Sequence, residues 1–133
     1  MLVHFPIAFW SCGVVADVVS SFSPASLAAT IAFGSLALGC FTGLLAMIAG
    51  IADFLDVARD TPARDVSITH LVAMCSAWLV FGVALALHGY PPKTPVPLAA
   101  LITSAAGFMA MAYGGWLGGK LVYEHGVGTR HDR

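Results

Sequence analysis

Four long apolar stretches alternate with short polar ones along the chain, and this alternation predicts the architecture. The apolar stretches cover approximately residues 2–21, 25–56, 67–87 and 97–123. A helix of about 20 apolar residues is long enough to cross the hydrocarbon core of a bilayer. Within lipid, a helix satisfies its own backbone hydrogen bonds. We therefore predict an all-α fold, an antiparallel four-helix transmembrane bundle that forms a single membrane domain over residues 1–133, with a polar tail at 124–133.

Composition supports a membrane protein. The chain is 59% apolar and 10% charged, with a mean hydropathy of +0.87, whereas soluble domains are about 45–50% apolar and about 25% charged. The net charge of −1 gives no indication of a nucleic-acid partner, so the expected surroundings are the lipid bilayer. The cysteines (Cys12, Cys40 and Cys75) stand in apolar stretches without the spacing of a zinc or redox motif, and we interpret them as buried free thiols.

The first apolar stretch is interpreted as a mature helix rather than a secretory leader. It has no basic segment in front of it, and it carries His4 and Asp17, which are unusual in a leader. In the second stretch, Ser35, Gly39 and Gly43 repeat every four residues. Small residues at this spacing let a neighbouring helix approach closely in lipid, so we expect a packing face there. The polar segment 53–69, interrupted by Pro62, is predicted to be a loop outside the membrane.

An even number of spans places both termini on one membrane face, here called side A. Side A also holds the loop between the second and third helices, and side B holds the other two loops. Five basic residues belong to side A (Arg59, Arg64, Lys120, Arg130 and Arg133), whereas Lys93 belongs to side B. By the positive-inside rule, we predict that side A, with both termini, is cytoplasmic.

Histidines at the ends of three helices are the main candidates for a functional site. His4, His70 and His125 all fall at the side-A ends of their helices, and Asp53 ends the second helix on the same side. Ionisable groups at membrane depth usually face the bundle interior, and neutral imidazole is the commonest metal ligand. One interpretation is a non-haem metal site formed by these four residues. A histidine near a helix end is also often only hydrogen-bonded to water or a carbonyl group.

The preferred interpretation is a b-type haem with His4 and His70 as axial ligands. His125, Lys120 and Trp116 would then lie beside the cofactor. The chain has no CxxCH motif, so covalent haem attachment is excluded. There is also no HExxH, GxGxxG or Walker motif. Outside the histidines, we find no titratable pair at helical spacing, which indicates an electron carrier or a subunit rather than a stand-alone enzyme.

Other polar residues receive simpler interpretations. We expect His88, alone on side B, to be a surface residue, and His131 to belong to a solvated tail. Asp17, near the side-B end of the first helix, is expected either to snorkel or to pair with a polar neighbour. The methionines within the helices are interpreted as core residues rather than copper ligands.

Several segments also resemble a known family. They are His4-Phe5-Pro6-Ile7-Ala8, the helix end between Gly43 and Asp53, His70 at the start of the third helix, and Gly115-Trp116-Leu117-Gly118-Gly119 with Leu121-Val122-Tyr123 and His125-Gly126-Val127-Gly128. In these the chain resembles the DUF2231 family of predicted four-helix membrane proteins of bacteria. The resemblance implies the bacterial inner membrane and, by association with redox modules, a redox complex as partner. The remaining alternative is a cofactor-free structural subunit that packs against a larger membrane complex through its glycine faces.

Overall fold

The computed structural model describes residues 2–23 and 26–128, which form four helices connected by short turns. The helices are α1 (His4–Phe22), α2 (Ser26–Leu55), α3 (Pro62–His88) and α4 (Leu98–Tyr123). All four are long and apolar enough to cross a membrane. They pack in sequence order, α1 most closely on α2 and α3 most closely on α4. The predicted all-α bundle is therefore confirmed. Arg130, His131 and Arg133 lie outside the described residues.

The third helix begins earlier than predicted, at Pro62 rather than near Ser67. Thr61 caps it, because its hydroxyl oxygen accepts a hydrogen bond from the Arg64 backbone N–H at 3.3 Å. Pro62 follows in the first turn, where the N–H that proline lacks would have no helical partner. Asp65 lies in the same turn, and its negative charge interacts favourably with the positive end of the helix dipole. The proline starts the helix instead of breaking it, so the predicted loop is shorter.

The turn between α2 and α3 is held together by Arg64. Its Nη1 donates hydrogen bonds to the carbonyl oxygens of Phe54, at 2.8 Å, and Val57, at 3.2 Å. The guanidinium carbon also lies 3.7 Å from the centroid of the Phe54 ring. The last carbonyls of a helix lack hydrogen-bond donors within the helix, and Arg64 supplies donors to them. Its positive charge also interacts favourably with the negative end of the α2 dipole.

Trp10 forms the centre of the bundle. Its indole is almost fully buried and stacks on Phe81 of α3, with ring centroids 4.6 Å apart and an interplanar angle of 12°. The indole also contacts the glycine face of α2, where a Cβ added at Gly43 would lie 2.8 Å from Cη2 of Trp10. The packing face predicted around Gly39 and Gly43 therefore exists, and it receives the largest side chain of α1.

The three cysteines are all free, and none of them is fully buried. Cys40 and Cys75 are partly buried, whereas Cys12 is exposed on the outer surface of the bundle. The prediction of burial is therefore wrong for Cys12, because an apolar helix in lipid carries apolar residues on its outer face as well as its inner one. At the α2–α3 contact, Nε1 of Trp78 donates a hydrogen bond to the Cys40 carbonyl at 2.8 Å.

Candidate functional site

A cavity of about 560 Å³ occupies the side-A half of the bundle and is bounded by all four helices. Trp10 and Met111 contribute to its wall deepest in the bundle. Small and larger apolar residues alternate elsewhere, and Gly50, Gly115 and Gly119 leave open space, because a Cβ added at any of them would meet no atom within 4 Å. The lining is mainly apolar, and its polar side chains include Asp53, Ser67 and His70. Such cavities between helices are where membrane and bundle proteins bind cofactors.

His70 is the imidazole in the wall of this cavity, and its ring is held in one orientation. Its Nδ1 lies 2.8 Å from the carbonyl oxygen of Gly114 in α4. A carbonyl group only accepts hydrogen bonds, so Nδ1 carries the hydrogen. Among the described residues no hydrogen bond is made by Nε2, which leaves its lone pair available to a ligand. A hydrogen bond from the second nitrogen to a backbone carbonyl is typical of metal-ligating histidines.

Gly118 provides the space for the His70 ring. A Cβ at this position would lie 3.2 Å from Cε1 of His70, which is tighter than nine in ten real contacts of a Cβ atom, and at an ordinary contact distance of 3.5 Å from Nδ1. One turn earlier on α4, Gly114 supplies the carbonyl acceptor and is itself packed against Met74. The glycine repeat of α4 therefore serves the packing of α3 and the placement of its histidine.

The structure does not bring the predicted histidines together. His4 is exposed and is not part of the cavity wall, although its neighbours Val3 and Ile7 are. The reason is helical geometry, since residues 3, 6, 7 and 10 share one face of α1 and position 4 points about 100° away from position 3. Asp53 is exposed but lines the cavity. Within residues 2–23 and 26–128, no group of three or more His, Cys, Asp and Glu side chains is arranged to hold a metal ion.

The tail after α4 turns back towards the cavity. Gly126 and Gly128 have φ angles of 64° and 75°, a region that glycine adopts without strain. The N–H of Val127 donates to the Leu121 carbonyl at 2.9 Å. The residues returned to the cavity wall are Val127 and Gly128. His125 is half-buried and is not in that wall.

Lys120 and Trp116 lie outside the cavity, next to its rim. Nζ of Lys120 is 3.6 Å from Oε2 of Glu124 and 5.4 Å from the centroid of the Trp116 ring. Together they border a shallow surface depression that shares Gly119 and Tyr123 with the cavity wall. With 59% of its surface exposed, Trp116 matches an interfacial aromatic residue better than a residue in contact with a buried cofactor.

A second cluster of polar side chains lies at side B, and it was not predicted from the sequence. Asp17 of α1, His88 of α3 and Ser104 of α4 are all completely buried. Nε2 of His88 lies 2.7 Å from Oδ1 of Asp17, and the Ser104 hydroxyl is 2.6 Å from Oδ2. Nδ1 of His88 donates to the Ala84 carbonyl at 2.8 Å. We call these three side chains the Asp17 network; it joins three helices at the end opposite the cavity.

The interpretation of His88 as a surface residue is therefore wrong. It is the last residue of α3, but it continues a buried stripe formed by Ala77, Phe81 and Ala84. Asp17 likewise continues the buried face of Trp10 and Gly13 on α1. Of the two roles expected for Asp17, it pairs with polar neighbours and does not snorkel to the surface. Residues seven apart in a helix share a face, so the spacing relates Asp17 to Trp10 and His88 to Phe81, but it does not show by itself that this shared face is the core.

Comparisons with known proteins identify the family. Searches of curated proteins and of solved structures found no match to this chain. The DUF2231 family profile, described as a predicted membrane protein, matches residues 1–131. This agrees with the four apolar helices and confirms the resemblance in the sequence. The chain therefore belongs to the DUF2231 family of predicted membrane proteins.

Proposed function

We propose that this integral membrane protein binds a b-type haem in its side-A cavity through His70 and serves electron transfer in a redox complex of the membrane. The observation that carries the proposal is the His70 ring, which lines a cofactor-sized cavity with Nδ1 engaged by the Gly114 carbonyl and Nε2 unengaged among the described residues. A histidine fixed in this way is prepared to coordinate iron without further rearrangement.

The size and the lining of the cavity support the proposal that its ligand is planar and mainly apolar. Its volume of about 560 Å³ falls within the range of about 300–1,000 Å³ that is usual for cofactor and drug-sized pockets. Gly115 and Gly119 of α4 leave open space in the wall, because a Cβ added at either would meet no atom within 4 Å, and this space would admit the face of a macrocycle. Lys120 stands just beyond Gly119 and Tyr123 at the rim, where its charge would attract a carboxylate group of the haem.

A haem bound there would supply one-electron redox chemistry, and the residues of the chain would hold and insulate it. His70 would hold the iron through Nε2. In this proposal His4 would be the second residue to hold it, and its ring would have to turn from the exposed face of α1 into the cavity, beside the wall residues Val3 and Ile7. The apolar wall would limit the access of water, and such burial is one of the properties by which a protein sets the potential of a haem.

Expression in haem-replete cells followed by a visible spectrum of the detergent-purified protein tests this proposal. We expect a Soret band, and split α and β bands on reduction, in the wild type and in the control variant His125→Ala, whose histidine lies outside the wall. The bands should be lost in His70→Ala and altered in His4→Ala. Absence of haem bands in the wild type, or full haem content in His70→Ala, would overturn the proposal. Metal analysis of the same samples separates haem from a non-haem metal.

We further infer that side A faces the cytoplasm of a bacterial inner membrane. The support is the excess of basic residues on side A over Lys93 on side B. Cysteines introduced singly at Arg59 and Lys93 in a background without native thiols would locate the two faces. A membrane-impermeant maleimide added to intact cells should label Lys93→Cys and not Arg59→Cys. The reverse labelling pattern would contradict this orientation.

A cofactor-free structural subunit is the second candidate, and one observation favours it. A Cβ added at Gly34 or Gly82 would meet no atom within 4 Å, so these glycines are not needed for packing inside the bundle. By contrast, Gly43 and Gly114 are occupied by Trp10 and Met74 within the chain. A stoichiometric membrane partner that is lost in Gly82→Leu, and retained in His70→Ala, would support this candidate.

A further inference from the structure

The Asp17 network lies at side B, away from the cavity, and the proposed cofactor does not use it. We propose that this network is a proton-binding site that exchanges protons with side B through a water molecule held at Ser20. The proposal depends on the hydrogen bonds among Asp17, His88 and Ser104 and on the position of Ser20. It does not depend on the occupant of the cavity.

The acceptors around His88 determine where its hydrogens lie. The Ala84 carbonyl only accepts, so Nδ1, 2.8 Å away, carries a hydrogen. Nε2 and Oδ1 of Asp17 are 2.7 Å apart, and two unprotonated atoms would repel each other at this distance. One proton therefore lies between them. The pair is neutral overall whichever atom holds that proton, and this neutrality permits two ionisable groups to remain fully buried.

Ser104 gives the network a place for a second proton. Its hydroxyl group has one hydrogen and two acceptors, Oδ2 of Asp17 at 2.6 Å and the Leu101 carbonyl at 3.1 Å. In the neutral network the hydroxyl donates to Oδ2. When Oδ2 takes up a proton supplied by the acidified aqueous phase of side B, the new O–H donates to the oxygen of Ser104, and the Ser104 hydrogen turns to the Leu101 carbonyl. Every group stays hydrogen-bonded, and the charge of the network rises by one.

Ser20 marks the route to the surface. It lies on the same buried face of α1 as Asp17, one turn closer to side B, and it is completely buried. In the part of the chain that the structure describes, its hydroxyl has no hydrogen-bond partner. Buried hydroxyl groups without a protein partner are generally served by an ordered water. A water at this hydroxyl would stand between Asp17 and the aqueous phase of side B.

Few other titratable groups face the network. α2 contributes none between Leu27 and Leu36. The connection between α3 and α4 contributes Lys93 and Tyr90, which are both exposed. The Lys93 side chain lies near Gly89, and the Tyr90 ring packs against Phe33 with ring centroids 5.7 Å apart. The positive charge of Lys93 opposes the positive charge that the network gains with the second proton, but Lys93 is exposed, so water screens this repulsion. Asp17 is therefore the carboxylate whose protonation an experiment at this site would report.

Infrared difference spectra of the full chain in lipid vesicles, recorded on acidification, test the proposal. We expect a C=O stretching band of a protonated carboxylic acid in the wild type, and its loss in Asp17→Asn. In Ser104→Ala the band should move to higher frequency, because the acid loses its hydrogen-bond acceptor. In heavy water, deuteration of the band should be slower in Ser20→Ala than in the wild type, and unchanged in Ser23→Ala, a control at an exposed serine of the same helix end.

The same spectra contain the results that would overturn the proposal. A wild type without such a band throughout the pH range in which it stays helical would show that Asp17 takes up no proton. A band that persists unchanged in Asp17→Asn would belong to another acid. Exchange in Ser20→Ala at the wild-type rate would exclude the route through Ser20. If Asp17→Asn does not fold, the frequency shift in Ser104→Ala assigns the band, and a band unmoved by that change would contradict the assignment.

Discussion

Replacing Gly39 by alanine should destabilise the bundle because Trp10 already fills the space. A Cβ at this position would lie 2.6 Å from Nε1 of Trp10, closer than real carbon atoms come to a neighbour. The indole cannot retreat, since its ring stacks on Phe81 with centroids 4.6 Å apart. Overfilling a packed core typically costs about 1–3 kcal/mol, so we expect a loss of that order from the contact itself.

Gly34→Ala is the matched control on the same helix. A Cβ there meets nothing within 4 Å, while both substitutions share the gain of up to about 1 kcal/mol that alanine has over glycine in a helix. The shared gain cancels in the comparison. Gly39→Ala should therefore be less stable than Gly34→Ala by about 1–3 kcal/mol, which is about 5-fold to 140-fold in the unfolding equilibrium constant.

Unfolding by sodium dodecyl sulfate in mixed micelles, followed by circular dichroism, measures this difference. Repeating Gly39→Ala in a Trp10→Leu background should reduce its cost, because the smaller side chain vacates the contact. Equal stabilities of Gly39→Ala and Gly34→Ala would refute the reasoning. So would an undiminished cost of Gly39→Ala without Trp10, since the indole would then not be the group that the new methyl meets.

Three further predictions concern local contacts. Thr61→Ala should cost about 1 kcal/mol of stability by removing the cap of α3, and it should leave the absorption spectrum unchanged. Arg64→Lys removes the hydrogen bonds that Nη1 donates to the carbonyl oxygens of Phe54 and Val57, so amide hydrogen exchange at residues 55–61 should accelerate while exchange in α4 stays constant. Trp78→Phe removes the hydrogen bond to the Cys40 carbonyl and should lower the unfolding free energy by about 1 kcal/mol. An unchanged unfolding midpoint in Thr61→Ala or Trp78→Phe, or unchanged exchange rates in Arg64→Lys, would contradict the respective prediction.

Much of the fold was accessible from the sequence because lipid imposes simple requirements. Long apolar stretches predicted the four helices, and the spacing of Gly39 and Gly43 predicted a packing face. The start of α3 was harder, because Pro62 within a polar segment is compatible both with a break and with a first helical turn. The choice depends on Thr61 as a cap, which residue composition alone does not reveal.

The sites were less predictable, for two physical reasons. α3 is apolar on all sides, so the sequence does not show which face its end presents to the core, and His88 was placed on the surface. The cavity depends on how far the helices separate at side A, which is a tertiary property. His70 was a candidate from the sequence, but its hydrogen-bond acceptor is the backbone carbonyl of Gly114, and a backbone group has no sequence signature.

Titration of the purified, haem-free protein with haemin in detergent is the most direct test of the proposed cofactor site. We predict a saturable Soret shift with an end point of one haem per chain, which is retained in His125→Ala and lost in His70→Ala. A shift that never saturates, or that is identical in the wild type and His70→Ala, would contradict the assignment of the side-A cavity as a haem site.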